Sequence, residues 1–188
     1  FPVKWGDTVP DNAFAGRCDV VKVIVPCWIK KIGENAFAGC SNLEECAVPP
    51  GVEVSWGAFD GCSKLRGTTV LDDTYFPAEW GDSIQYEAFE FRLDVKKVEL
   101  PSRIKKIGKK AFWKCKNLEE CFVPPGVKVD KFAFHGCSKL RGTTVLGDAY
   151  FPAEWGDSIP DEAFVFRFDV VKVELPPRIK NIGNSAFW

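Results

Sequence analysis

Methionine is absent from the 188-residue sequence, and histidine occurs only once, at His135. Because a translated chain begins with methionine, we expect this sequence to be processed or to be an excerpt of a longer protein, and its first residues indicate no compartment. One histidine and the lack of any Cys-x-x-Cys pair argue against a zinc site. We therefore expect His135 to be a solvated turn residue and expect no metal or cofactor.

Long apolar runs are also missing, since none approaches the roughly 20 residues that a membrane-spanning helix needs. The most hydrophobic segment, residues 20–29, is interrupted by Lys22 and Pro26. The formal net charge of −1 gives no electrostatic attraction toward phosphate backbones or anionic lipid. We expect neither nucleic-acid binding nor membrane insertion.

Repetition at two nested periods dominates the sequence. Residues 75–84 recur unchanged at 150–159, and residues 62–71 recur unchanged at 137–146, both offset by 75 positions. An Ala-Phe pair marks a shorter period, with spacings of 23, 22, 30, 23, 22, 30 and 23 between its phenylalanines: Phe14, Phe37, Phe59, Phe89, Phe112, Phe134, Phe164 and Phe187. We predict a single solenoid over 1–188, with 75-residue units 1–75, 76–150 and, in part, 151–188. Each unit has three coils of about 22–30 residues.

A strand pattern follows each of the first seven phenylalanines. It reads apolar-x-x-apolar-x-apolar, and its last two apolar positions alternate as in a strand with one buried face. The predicted inward triplets are Val20/Val23/Val25, Leu43/Cys46/Val48, Leu65/Thr68/Val70, Val95/Val98/Leu100, Leu118/Cys121/Val123, Leu140/Thr143/Val145 and Val170/Val173/Leu175. Because one coil cannot bury its apolar side alone, stacked coils must share a continuous core.

A second apolar pair, such as Ile29 and Ile32, comes before the Ala-Phe of the next coil. Gly33 follows it, and we expect this glycine to allow a tight turn. Proline follows five of the seven strands and ends each of them, because proline cannot donate to a strand ladder.

Residues 29–49 and 104–124 closely follow the pattern I-x-x-I-G-x-x-A-F-x-x-C-x-x-L-x-x-V-x-I-P. This pattern resembles the BspA-like branch of the leucine-rich repeats, and the resemblance covers essentially the whole chain. It implies a leucine-rich-repeat solenoid with a parallel β-sheet on the concave face, turns and short irregular segments on the convex face, and little α-helix. It further implies a surface-exposed or secreted protein that acts in adhesion and partner recognition. The third coil of each unit departs from the pattern, since Leu71 and Leu146 replace the proline.

The eight cysteines allow two interpretations. Cys46 and Cys121 align with valines, and Cys18 aligns with Leu93 and Phe168, so we expect these three to be buried thiols. The turn cysteines of adjacent coils could form the bridges Cys40–Cys62 and Cys115–Cys137, or could remain thiols. Cys27 aligns with turn residues and is expected to be exposed.

The outward side of the strands is the first candidate binding surface. Opposite charges face one another on neighbouring strands, as at Lys22 and Glu45, so the surface is largely self-neutralised and unlike a basic groove. A partly apolar strip remains that could take a protein ligand. The candidate residues on this side are Ile24, Lys97, Glu99, Glu120, Phe122 and Thr144.

The enlarged third coil carries the second candidate surface. Its aromatic residues are favoured anchors at interfaces if exposed, but the same rings could fold back and plug the wider coil. Phe1 and Trp5 belong to the same pattern one unit earlier. The candidates are Tyr75, Phe76, Trp80, Tyr150, Phe151 and Trp155.

Catalysis is not predicted. No P-loop, G-x-G-x-x-G, H-E-x-x-H or G-x-S-x-G motif occurs, and a repeated unit would duplicate any site, whereas His135 has no copy. The first functional hypothesis is a non-catalytic scaffold for protein recognition or adhesion at the cell surface or outside the cell, with a protein or cell-surface ligand as partner. The alternative is a structural protein whose near-identical units stack end to end into filaments or coats.

Overall fold

The computed structural model of the chain describes residues 2–188, apart from the side chain of Val3. Phe1 lies outside the described residues. Within them the backbone winds into a parallel-strand solenoid of about eight turns. It contains no α-helix in the described part, only short 3-10 turns at Val3–Trp5, Asp73–Tyr75, Ala78–Trp80, Asp148–Tyr150 and Ala153–Trp155.

Two strands form in nearly every coil. Their bounds are β1 Thr8–Val9, β2 Lys22–Ile24, β3 Lys31–Ile32, β4 Glu45–Ala47, β5 Glu53–Val54, β6 Thr69–Leu71, β7 Ser83–Ile84, β8 Val95–Val98, β9 Lys106–Ile107, β10 Glu120–Cys121, β11 Lys128–Val129, β12 Thr144–Leu146, β13 Ser158–Ile159, β14 Val170–Val173 and β15 Asn181–Ile182. The even-numbered strands β2 to β14 lie at the seven predicted strand positions, although β6 and β12 differ from the predicted register, as described below. We call them the first ladder.

The odd-numbered strands form a second ladder that the sequence pattern did not reveal. Its members pair in parallel as β1-β3-β5, β7-β9-β11 and β13-β15. The first ladder pairs as β2-β4, β6-β8-β10 and β12-β14. Each ladder is therefore interrupted twice, and the interruptions of the second ladder fall at the enlarged coils.

The phenylalanines of the Ala-Phe pairs stack along the solenoid. Phe37 lies 5.1 Å from Phe14 and 5.6 Å from Phe59 between ring centroids, with the planes within 7° of parallel. Phe112 stands between Phe89 and Phe134 in the same way, at 5.4 and 5.3 Å. Beside these rings the first-ladder columns are buried, including Leu43, Cys46, Val48, Leu118, Cys121 and Val123, all 0% exposed. The predicted inward triplets are confirmed for the coils of β2, β4, β8 and β10, whereas Val173 and Leu175 in the last predicted triplet are 37% and 44% exposed.

The third coil of each unit differs from the predicted register. Thr69 and Thr144 are buried, whereas Val70 and Val145 are 40% and 41% exposed. Leu71 closes the buried side of β6, and the ladder shifts between Thr69 and Val70 where β6 meets β8. Thr68 and Thr143 are exposed as well. The inward assignment of Thr68, Val70, Thr143 and Val145 and the outward assignment of Thr144 are therefore wrong.

Glycines allow two close approaches between coils. A Cβ on Gly33 would lie 2.7 Å from the backbone nitrogen of Asp11 in the preceding coil, and φ at Gly33 is not positive. Close stacking, rather than the expected tight turn, therefore requires this glycine. A Cβ on Gly67 would lie 2.7 Å from the carbonyl oxygen of Val95, so the third coil also needs glycine at this point.

All eight cysteines are free thiols. The four turn cysteines are buried and donate to carbonyl oxygens of the coil before, as Cys62 Sγ does to Phe37 O at 3.1 Å. Cys46 and Cys121 are buried and Cys27 is exposed, as expected. Cys18 is exposed, contrary to expectation. It lies in the first coil, where Gly16 O accepts its thiol at 3.5 Å and no described coil covers it.

Candidate protein-binding surface

Charged residues on the outward side of β8 and β10 form a short ion-pair network. Register places Lys97 opposite Glu120. The Lys97 ammonium lies 2.9 Å from a carboxylate oxygen of Glu99 and 3.9 Å from one of Glu120. The hydrogen bond to Glu99, helped by the charges of Glu99 and Glu120, raises the pKa of Lys97. Because these side chains are about half exposed, the network orients charge on the surface more than it stabilises the fold.

A shallow hollow with a volume of about 410 Å³ adjoins this network. Phe122, which is 53% exposed, and Leu100 supply apolar walls, while Lys97, Glu99 and Glu120 supply charged ones. An exposed aromatic ring beside oriented charges provides both apolar contact area and groups that can define a ligand's register. The structure thus brings together four of the candidate residues from the sequence: Lys97, Glu99, Glu120 and Phe122.

Ile24 lies on the same side of the first ladder but in a different sheet, on β2 beside Ala47 of β4. It is 74% exposed. Lys22 and Glu45 next to it form the predicted cross-strand ion pair at 2.7 Å, and this bond lowers the pKa of Glu45. Ile24 is therefore a separate exposed apolar point and does not line the hollow at Phe122.

Thr144 does not belong to this surface. It is 0% exposed, and its hydroxyl accepts a hydrogen bond from the backbone nitrogen of Val123 at 3.4 Å. Val70 and Val145 instead provide exposed apolar side chains that the sequence pattern had assigned to the core. The sequence did offer a signal for this shifted register. Leu71 and Leu146 replace the proline of the other coils, and each could serve as the last inward residue of its strand.

The aromatic residues of the enlarged coils fold back against the core. Phe76 and Phe151 are each 2% exposed, so an exposed anchoring role for them is wrong. Tyr75 donates its hydroxyl hydrogen to Val48 O at 3.1 Å, and Tyr150 donates to Val123 O at 2.7 Å. Burial raises the pKa of both tyrosines.

Trp80 and Trp155 are half-buried. Each packs edge-to-face on a core phenylalanine, with 5.7 Å between ring centroids in both units, on Phe89 and Phe164. The rings therefore fill the space that the longer loop opens. Arg103 and Arg178 hold each loop from the following coil by contacts to Asp73 and Asp148.

No three His, Cys, Asp or Glu side chains converge on a possible metal position among residues 2–188. In the same part of the chain, no helix has the length and apolar character needed to cross a bilayer. His135 is exposed and lies edge-on to Phe132 at 5.7 Å.

Three solved structures illustrate the similarity of the chain to known folds. A leucine-rich repeat protein of T. pallidum is 23% identical over 94% of this chain and 66% of its own, with a TM-score of 0.37. A leucine-rich cell surface protein of Faecalibacterium prausnitzii A2-165 is 19% identical over 96% and 57%, with a TM-score of 0.43. A leucine-rich repeat protein of Bacteroides ovatus ATCC 8483 is 16% identical over 96% and 67%, with a TM-score of 0.31.

The chain spans 57% to 67% of the length of these three proteins. No curated protein matches it. The model of the BspA type leucine-rich repeat region matches six copies, over residues 7–79 and 67–188. The chain therefore belongs to the BspA-type leucine-rich repeat family.

Proposed function

We propose that this protein is a non-catalytic scaffold that recognises a protein ligand through the outward side of its first ladder, at the hollow around Phe122. Leucine-rich repeats of this family are generally non-enzymatic and generally mediate protein interactions. The single observation that supports this particular surface is the exposed Phe122 ring beside the Lys97, Glu99 and Glu120 network.

The chemistry of the hollow favours a polypeptide ligand. Its charges are already paired with one another, so it offers no excess of positive charge for a phosphate backbone. An apolar side chain of the ligand that packs on Phe122 would be removed from water. Polar groups of the ligand could at the same time hydrogen-bond to Lys97, Glu99 or Glu120 at the border of the hollow. We place the protein at the cell surface or outside the cell, which is consistent with the cell surface protein of F. prausnitzii among the similar structures.

Selection from a displayed library of random peptides tests this surface. Peptides selected on the wild-type protein should lose at least about tenfold in affinity on Phe122→Ala, because truncating a central aromatic anchor typically costs more than 1 kcal/mol. Trp28→Ala is the matched control, since Trp28 is 61% exposed and does not line the hollow. Binders that respond to Trp28→Ala and ignore Phe122→Ala would contradict the proposal.

Light scattering on the same samples separates recognition from self-assembly. A constant monomer mass over a hundredfold range of concentration is expected for a recognition scaffold. A mass that grows steadily with concentration would favour the filament-forming alternative.

A further inference from the structure

The second ladder is open between β5 and β7. In the described chain β5 pairs with β3 and β7 pairs with β9, and no pairing joins β5 to β7. The enlarged coil, with its turns Asp73–Tyr75 and Ala78–Trp80, enters between them in sequence. A cleft of about 600 Å³ lies at this interruption, within the usual size range of ligand pockets.

Aromatic rings from three coils form one wall of this cleft. Trp56 is 61% exposed and meets Phe91 edge-to-face at 6.2 Å, and Phe91 meets Trp113 at 5.3 Å. The ammonium groups of Lys110 and Lys114 each lie 4.5 Å from the Trp113 ring centroid. Trp113 is therefore already engaged by cations, whereas the larger part of Trp56 stays open to solvent.

Three carboxyl groups and one lysine line the same cleft: Glu53, Glu87, Glu90 and Lys110. Glu53 is bound to Lys31 at 2.8 Å, and Glu87 is bound to Lys110 at 2.9 Å. Among residues 2–188 no lysine or arginine forms an ion pair with Glu90, whose side chain is hydrogen-bonded to that of Glu87.

The surroundings of Glu90 disfavour its charged form. Partial burial, followed by the charge of Glu87, raises the pKa of Glu90 to about 7, and Lys110 and Lys114 offset this only in part. Glu90 is thus a carboxyl without a dedicated counter-ion, in a cleft that also presents an open indole ring.

We propose that this cleft binds the guanidinium group of an arginine side chain on a partner polypeptide, which stacks on Trp56 and pairs with Glu90. Guanidinium is planar and weakly hydrated, stacks on aromatic faces and forms two parallel hydrogen bonds to a carboxylate. The ammonium group of lysine is not planar and cannot form two parallel hydrogen bonds to one carboxylate. The cleft also has room for the backbone that carries the arginine.

The other enlarged coil provides an internal comparison. It opens a cleft of similar volume, about 630 Å³, beside β11. At the positions 75 residues beyond Glu53, Trp56 and Glu90, the chain has Lys128, Lys131 and Val165. Glu162 repeats Glu87 in the second cleft, but the carboxyl groups of Glu53 and Glu90 and the exposed indole of Trp56 have no equivalent there. The pairing of an open indole with Glu90 therefore belongs to the first cleft alone.

The site is independent of the surface proposed for protein recognition. It shares no lining residue with the hollow around Phe122. Substitution of Phe122 should therefore leave arginine binding unchanged, and failure of either proposal leaves the other standing.

Titration with blocked tripeptides tests the inference. We would follow the indole Nε1–H resonance of Trp56 by NMR, assigned with Trp56→Phe, while adding Gly-Arg-Gly, Gly-Lys-Gly or Gly-Gly-Gly. Gly-Arg-Gly should produce a saturable shift and bind at least about fivefold more tightly than Gly-Lys-Gly, and Gly-Gly-Gly should give none. Glu90→Gln should weaken Gly-Arg-Gly binding at least about tenfold, because it removes the charge of a charge-assisted pair.

Glu154→Gln is the matched control, because Glu154 lines the second cleft and is exposed. It should leave the affinity unchanged. For the wild type, affinity should rise from pH 6 to pH 8 as Glu90 ionises among Glu87, Lys110 and Lys114, with Glu53 also lining the cleft. Glu90→Gln should remove this rise. Equal binding of the lysine and arginine peptides, or an affinity that Glu90→Gln does not change, would overturn the proposal.

Discussion

Arg92 and Asp94 form a buried ion pair beneath the first enlarged coil. Arg92 Nε lies 2.7 Å from Asp94 Oδ1, and the two side chains are 4% and 0% exposed. The preceding coil completes the arrangement, since Thr68 N and Thr69 N donate to the Asp94 carbonyl at 2.8 and 2.9 Å. Thr69 Oγ1 also donates to the Asp94 carboxylate at 2.8 Å. The pair thus ties one coil to the next where the first ladder changes register.

Removing one partner of this pair should be strongly destabilising. Asp94→Ala would leave the Arg92 guanidinium buried without its counter-charge, and we expect a loss of about 3–5 kcal/mol in the free energy of unfolding. Asp19→Ala is the matched control, since Arg17 Nε donates to Asp19 Oδ1 at the same 2.7 Å while the two side chains are 55% and 65% exposed. The control should be close to wild type in urea denaturation followed by tryptophan fluorescence. Equal losses of unfolding free energy for both variants would contradict the burial of the Arg92–Asp94 pair.

The register of the third coil gives a second test. Thr144→Lys would place a charge at a position that is 0% exposed, and we expect it to cost more than about 2 kcal/mol. Val145→Lys adds the same charge at a side chain that is 41% exposed and should change stability by less than about 0.5 kcal/mol. The apolar pattern of the sequence predicts the reverse order, so urea midpoints of the two variants decide between the registers.

Regular coils could be predicted from the sequence because each column repeats the same residue type at the same spacing. Leu43 and Leu118 have equivalent neighbours above and below them, so a local pattern is also a packing pattern. The third coil breaks this rule. Its strand could alternate through Thr68 and Val70 or through Thr69 and Leu71. The second alternation is the one that places Thr69 against Asp94 of the next coil, and this contact between coils is not visible in the local pattern.

The candidate sites were only partly predictable for the same reason. The proximity of residues on neighbouring strands, such as Lys97 and Glu120, can be predicted from the strand register alone. The cleft at Trp56 and Glu90 arises from a missing strand pairing and from residues of different coils, so no single motif marks it. The available signal was the exchange of Glu90 for Val165 between otherwise similar units.

Thiol reactivity should divide the cysteines into two groups. Cys18 and Cys27 are exposed and should be alkylated by iodoacetamide in the native protein. Burial raises the pKa of Cys62 to about 12 and raises the pKa values of Cys46 and Cys121 well above the ordinary range. All six buried thiols, which also include Cys40, Cys115 and Cys137, should react only after unfolding. Mass spectrometry of peptides should therefore find two labelled sites in native protein and eight in urea, and early labelling of Cys46 would contradict the stacked core.

Truncation within the central column should be costly. Leu118 is 0% exposed between coils on both sides, so Leu118→Ala should lose about 2–5 kcal/mol through lost burial and cavity formation. Ile24→Ala is the control, because Ile24 is 74% exposed on the same ladder and should change stability by less than about 0.5 kcal/mol. A loss below half a kilocalorie for Leu118→Ala in chemical denaturation would be incompatible with an inward-facing column.

Glu90 should make stability depend on pH near neutrality. Its pKa is about 7 in the folded protein against an ordinary value of 4.5, through partial burial and the charge of Glu87. Between these values the folded state binds more protons than the unfolded state, so this contribution is fully present below pH 4.5 and is lost as pH rises through 7. Glu90→Gln, which cannot ionise, should flatten the decline in urea midpoint between pH 5 and pH 8 and be the more stable protein at pH 8. Glu154→Gln should keep the wild-type slope. A decline unchanged by Glu90→Gln would assign the pH dependence to other groups.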